Sequence, residues 1–162
     1  FQDDGTFANF TVTEEPPPEP TPEPTPQPPP PDNAVQVGAQ ACQYMNINQA
    51  KFLEYRSEGV LNTNTVEQWI VCPVGAEVGA DNVNSRVRIL NNSNVTAETQ
   101  CLWTLTNQSG NTVFSKSLKK SIPPGESYDL FASNLNYEPG VTLTVSCKLP
   151  PQFLALSLTL EY

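Results

Sequence analysis

Catalytic chemistry has few side chains to work with in this chain, because histidine is absent. Its absence removes the commonest general base and the commonest zinc ligand together. It also rules out any Ser-His-Asp or Cys-His arrangement. A pair of carboxylates could still serve glycoside hydrolysis, and Glu54 with Glu58 or Glu67 is the nominal choice. These acids sit in a polar, turn-rich stretch where solvated surface charge is the better explanation. We therefore assign no catalytic residue and read the chain as a non-enzyme. Oxygen ligands gather at Asp81, Asn82 and Asn84, with Glu77 nearby, on a glycine-containing loop of the kind calcium favours. The stretch lacks the internal glycine and the terminal bidentate glutamate of an EF-hand loop, and Asn and Asp also populate ordinary turns. No metal and no cofactor is expected.

Binding chemistry has more material. Trp69, Tyr128, Tyr137 and Tyr162 could stack on sugar rings if exposed, although strand alternation places most aromatics in a core. Four N-glycosylation sequons start at Asn9, Asn91, Asn94 and Asn107. Thr21 and Thr25, each flanked by prolines, fit O-glycan sites of the mucin-like kind.

The four cysteines, Cys42, Cys72, Cys101 and Cys147, are an even count at wide spacings, without the close C-x-x-C pairs of metal knuckles. Two disulfides are the natural reading. Of the three possible pairings, Cys42–Cys72 with Cys101–Cys147 is favoured, because each bridge then closes a self-contained half. The chain begins at Phe1, without methionine, and a processed terminus left by signal-peptide cleavage is the expected reason. A secreted or cell-surface location follows.

Three pieces must position these groups. Eleven of the sixteen residues from Pro16 to Pro31 are proline, which excludes helix and interior strand. The run should be polyproline II, a semi-rigid rod on the order of 50 Å long. Before it, residues 1–15 contain TFANFTVT at Thr6–Thr13, whose period-two pattern describes a half-buried strand. That strand has no sequence neighbour to pair with, and an isolated strand is not stable. After the linker (residues 16–33), residues 34–162 are enough, at about 130 residues, to bury a core.

Charge divides along the same lines. Seven of the 17 acids and none of the eight bases lie in residues 1–33, so the remainder carries ten acids against eight bases, a net of −2. Nothing resembles the basic footprint of a nucleic-acid binder, and no hydrophobic run approaches the roughly 20 residues that cross a bilayer.

From Val35 onward the pattern is all-β. Strands are expected at Val66–Val74, Arg86–Leu90, Thr99–Thr106, Thr112–Leu118, Ser127–Ala132, Val141–Leu149 and Phe153–Tyr162, with Gly, Pro and Asn turns between them. Cys42–Met45 and Lys51–Tyr55 are ambiguous. In the last strand Leu154, Leu156, Leu158 and Leu160 are expected to face inward. This is an antiparallel β-sandwich, immunoglobulin-like or jelly-roll-like, in which a Cys101–Cys147 bridge would staple the core beside Trp103.

The motifs YRSEGVLNTN at Tyr55–Asn64, WIVCPV at Trp69–Val74, RVRILNNS at Arg86–Ser93 and CKLPP at Cys147–Pro151, with the final EY, resemble a group of small secreted bacterial proteins. Those are two-disulfide β-sandwiches of unknown function, and the similarity runs from Cys42 to Tyr162. It implies fold and export and supplies no catalytic residue. The proline-linked arm departs from that group, and its layout is similar to that of donor-strand-exchanged pilus subunits.

The first functional expectation is therefore an extracellular filament. Thr6–Thr13 would insert into the sandwich of a neighbouring copy, with Phe7, Ala8, Phe10 and Val12 as the donor side chains. The alternative is a secreted binding or adhesin module, with glycans as its partner and the proline run as a spacer.

Overall fold

A computed structural model of the chain describes residues 34–74, 83–136, 138 and 140–161. The expected donor strand with Phe7, Ala8, Phe10 and Val12, the proline rod, and the sites Asn9, Thr21 and Thr25 all lie outside the described residues.

Eleven strands follow one another: β1 Ala34–Gly38, β2 Gln43–Tyr44, β3 Leu53–Tyr55, β4 Val60–Asn62, β5 Gln68–Val74, β6 Val83–Asn91, β7 Ala97–Thr106, β8 Thr112–Ile122, β9 Ser127–Leu135, β10 Thr142–Leu149 and β11 Phe153–Glu161. Short 3-10 turns occupy Ala39–Ala41 and Ile47–Phe52, so the ambiguous Lys51–Tyr55 stretch is part turn and part strand. Six strands form one sheet in the order β3-β4-β11-β6-β9, with β1 also paired to β11. The other five form a second sheet in the order β2-β5-β10-β7-β8. Every ladder is antiparallel. From β4 to β11 the chain changes sheet at each connection except the β7–β8 hairpin. That alternation is the jelly-roll order, not the immunoglobulin one.

The core lies between the sheets and comes from alternation. Val83, Val87 and Ile89 on β6, Cys101, Trp103 and Leu105 on β7, and Leu143, Val145, Cys147 and Leu149 on β10 are all buried. Their sequence neighbours face outward. The Trp103 indole donates Nε1–H to Ser85 Oγ at 2.8 Å, joining the two layers through a buried hydrogen bond.

One disulfide lies inside the five-stranded sheet, and the other ties β5 of that sheet to the residue just before β2. Cys42 is joined to Cys72 and Cys101 to Cys147, with Cα separations of 3.9 and 4.1 Å. Cys101 and Cys147 are direct cross-strand partners on β7 and β10. The Cys101–Cys147 bridge therefore ties neighbouring strands of one sheet and does not staple the two layers as an immunoglobulin-like bridge would. Among the described residues, the layers are held by apolar packing, by the Trp103–Ser85 contact and by the Asn62 and Asn91 amides, which donate to Leu149 O and Ile122 O of the other sheet.

The last strand corrects the expected face. Its pairing with β6 slips between Ala155 and Ser157, a β-bulge at Leu156. One extra residue reverses the phase. Phe153 and Ala155 point into the core before it and Leu158 and Leu160 after it, while Leu154 and Leu156 are not part of the core cluster. Gly59 packs against this bulge: a β-carbon there would collide with the Ala155 carbonyl oxygen.

Candidate functional site

With the odd residues of β6 in the core, the even ones, Asn84, Arg86 and Arg88, stand on the outer face of the six-stranded sheet. On β9, burial of Leu130 and Ala132 turns Asp129 and Phe131 to the same face. On β11, the phase after the bulge brings Ser157, Thr159 and Glu161 there too. Register then places them. Arg86 stands opposite Phe131 on one side and Thr159 on the other, Asp129 opposite Arg88, and Glu161 opposite Asn84.

Arg86 is the centre of this face. Its Nη2 donates to Glu161 Oε1 at 2.8 Å, and its Nη1 lies 3.9 Å from Asp129 Oδ2. The guanidinium carbon sits 5.8 Å from the centroid of the Phe131 ring, within the range where the ring quadrupole attracts a cation. The Arg88 Nη2 donates to Ser127 Oγ at 3.3 Å. Phe131 keeps 40% of its surface exposed. Asp129 Oδ1 lies below the surface yet accepts no hydrogen bond.

Such an arrangement offers an apolar disc beside a fixed fork of donors and two carboxylate acceptors. An exposed ion pair is worth only about 0–1 kcal/mol to the fold, so stability does not require this cluster. Its chemistry suits a ligand with one apolar face and hydroxyls at its rim. Hydroxyls can donate to the carboxylates and accept from the guanidinium through charge-assisted hydrogen bonds, while C–H groups cover the ring.

Residues singled out from the sequence lie elsewhere. Trp69 is half-buried on the outer face of the other sheet, opposite Lys148. Tyr128 is exposed at the edge of β9, where Lys120 Nζ lies 4.3 Å over its ring. Tyr137 and Tyr162 are outside the described residues. Glu54 is held by Arg56 at 3.0 and 3.1 Å, and that hydrogen bond keeps its carboxyl below the ordinary value, opposite to what a general acid needs. Glu67 pairs with Lys148 at 2.9 Å, and Glu58 is exposed on the turn before Gly59. Of the calcium-loop residues, Glu77, Asp81 and Asn82 are outside the described residues, and Asn84 Oδ1 accepts the Asn134 N–H at 3.1 Å.

The sequons separate as well. Asn91 is fully buried, and its Nδ2 donates to two carbonyls, so the amide that a glycan would occupy is already engaged. Asn94 is exposed on the following turn. The Asn107 Oδ1 accepts the N–H groups of Ser109 and Asn111 in the hairpin loop. In a glycosylating host, peptide mass spectrometry should find Asn94 occupied and Asn91 bare. Occupancy at Asn91 would contradict this burial.

Phe131 is not among the aromatics that the sequence singles out. A signal was present: in YDLFAS it alternates with Leu130 and Ala132, so a core on their side puts the ring outside.

Neither a family model nor a curated protein matches the chain. Solved structures do. A Clostridium thermocellum endo-1,4-beta-D-xylanase 10B chain with CBM22-1 and GH10 modules, complexed with xylohexaose, matches at a TM-score of 0.53 and 12% identity, over 80% of this chain and 28% of that one. The C-terminal CBM6 of LamC from Zobellia galactanivorans matches at 0.49 and 15%, over 80% of this chain and all of that one. The carbohydrate-binding module CBM36, in complex with calcium and xylotriose, matches at 0.44 and 14%, over 77% and 97%. The likeness is one of fold. These are carbohydrate-binding modules or an enzyme that carries one, and not pilus subunits.

Proposed function

We propose that this chain is an extracellular, non-catalytic carbohydrate-binding module that holds a polysaccharide on the outer face of its six-stranded sheet. The observation that carries the proposal is the exposed Phe131 ring beside Arg86, whose guanidinium is fixed between Glu161 and Asp129. In this reading a pyranose lays its C–H face on the ring, and hydroxyls at its edge meet the fork and the carboxylates. Two features support the setting. A sandwich of similar fold occurs in a xylanase chain that contains a carbohydrate-binding module, and two disulfides suit an oxidising compartment. No helix among the described residues is long and apolar enough to cross a membrane.

The expected filament fares less well. Its donor residues are outside the described ones, and a glycan-binding face needs no second copy.

The test is affinity electrophoresis and calorimetry of the whole chain against soluble xylan, β-glucan, galactan and mannan. At least one should bind. Phe131→Ala and Arg86→Ala should each weaken that binding about tenfold or more, about 1.4 kcal/mol, with unfolding free energy changed by no more than about 1 kcal/mol. Binding to none of the four, or undiminished binding by both variants, would remove the proposal.

A further inference from the structure

The opposite margin of the molecule carries a second surface that the glycan face does not use. β8 is the end strand of the five-stranded sheet and pairs only with β7 among the described residues. A strand in that position turns a row of N–H and C=O groups away from the sheet. Ten of its eleven residues escape burial. Val113 and Phe114 are 55% and 37% exposed, and Tyr128 on the adjoining β9 is 42% exposed with Lys120 over its ring. Three of the chain's eight bases, Lys116, Lys119 and Lys120, stand on this one strand. Lys119 reaches Glu98 at 3.4 Å. Neither Lys116 nor Lys120 pairs with a carboxylate among the described residues.

This edge has a matching piece within the same sequence. Residues 1–15 hold the strand pattern TFANFTVT, bracketed by Asp3 and Asp4 before it and Glu14 and Glu15 after it, with no base. In either direction of pairing, one acidic couple falls near Lys119 and Lys120. The span from Asp4 to Glu14 is eleven residues, equal to the eleven of β8. Its apolar side chains suit the uncovered Val113 and Phe114.

The expected reach of the proline run bears on whose segment it is. β1 starts at Ala34 and pairs with β11, on the side of the six-stranded sheet away from β9, and β9 is the strand beside β8. From β1 to β9 is three strand steps, about 15 Å, with roughly 10 Å more between the sheets. For an arm antiparallel to β8, whose Glu14 falls at the Thr112 end where β1 also starts, a proline run expected from its sequence to extend on the order of 50 Å exceeds that distance on its own domain and suits the next copy. We propose that the β8 edge accepts the acidic residues 1–15 of a second copy of this chain by β-augmentation. The proposal is independent of the glycan reading, since β8 contributes nothing to the Arg86–Phe131 face.

The test uses the full chain, grown separately in natural-abundance and nitrogen-15 media, mixed, and joined with a zero-length carbodiimide. Mixed-isotope peptides linking Lys116, Lys119 or Lys120 to Asp3, Asp4, Glu14 or Glu15 are the expected product. Same-isotope links alone would show that the chain covers its own edge, and absence of these links would show that the edge takes something else. Either result overturns the proposal. Sedimentation provides a second arm. The triple variant Lys116→Glu, Lys119→Glu, Lys120→Glu should lose at least tenfold in self-association. Adding Asp3→Lys, Asp4→Lys, Glu14→Lys and Glu15→Lys to the same chain should restore it. Failure of that restoration counts against the pairing.

Discussion

Asn91→Ala is expected to destabilise the fold by about 2–5 kcal/mol, although the residue sits at the end of a strand in a stretch that reads as a turn. Its side chain is fully buried. Nδ2 donates to the carbonyls of Val95 and Ile122, both at 2.8 Å. Oδ1 accepts from the Ser93 N–H at 2.9 Å and from the Ser93 hydroxyl. One amide thus satisfies the turn that carries the chain from β6 to β7 and ties it to the end of β8. Truncation removes this donor from the Ile122 carbonyl and the acceptor from the Ser93 N–H, while Val95 O keeps the Ser93 hydroxyl, and each buried group left unpaired costs about 1–3 kcal/mol. Asn91→Asp should be no better, because a carboxylate has no N–H to offer and faces the same two oxygens.

The same device occurs once more. Asn62 donates to Val66 O at 3.0 Å and Leu149 O at 2.8 Å, and its Oδ1 accepts the Asn64 N–H at 2.9 Å. In both cases the Asn ends a strand of the six-stranded sheet, bonds the carbonyl four residues on, and precedes a disulfide cysteine by ten: Asn62 with Cys72, Asn91 with Cys101. Asn62→Ala should therefore cost about as much. Urea unfolding followed by tryptophan fluorescence measures both, and losses under about 0.5 kcal/mol would contradict the assignment.

Trp103→Ala should cost about 3–5 kcal/mol, the range for emptying a buried aromatic site. Trp103 is fully buried between the sheets, on the strand that also carries Cys101. The Cys101–Cys147 bridge joins neighbouring strands of one sheet and does not cross the gap Trp103 fills. Part of the effect is polar. Trp103→Phe keeps most of the volume but leaves Ser85 Oγ, itself buried, without its donor. Combining Trp103→Phe with Ser85→Ala isolates that contact, and the double-mutant cycle should return a coupling of about 0.5–1.5 kcal/mol. A coupling near zero would mean that the indole acts through volume alone.

Local pattern carried much of this fold. The alternation in Thr99–Thr106 and Val141–Leu149 was clear enough to name inward residues, because both sheets have one dry and one wet face. It failed in β11, where four leucines at every second position suggested one face. The bulge at Leu156 arises from how β11 pairs with β4 and β6, and spacing within the strand holds no record of that. β4, three residues long and hidden between Gly59 and the Asn62–Asn64 turn, was too short to show any period. Asn62 and Asn91 read as turn formers, which they are, but a side chain's burial and its distant carbonyl partner do not show in a turn signal.

The sequence by itself determined the class of the fold, the concentration of acid in residues 1–33, the absence of histidine chemistry, and an even set of widely spaced cysteines. These follow from composition and short-range periodicity, which act within a few residues of chain. Only the tertiary structure decided that Arg86, Asp129, Phe131 and Glu161, spread over 76 positions, share one face, and that the bridge at Cys101 lies within a sheet. Alternation sets which way a side chain points, while the order and register of strands set what it meets, and those depend on pairings between distant segments.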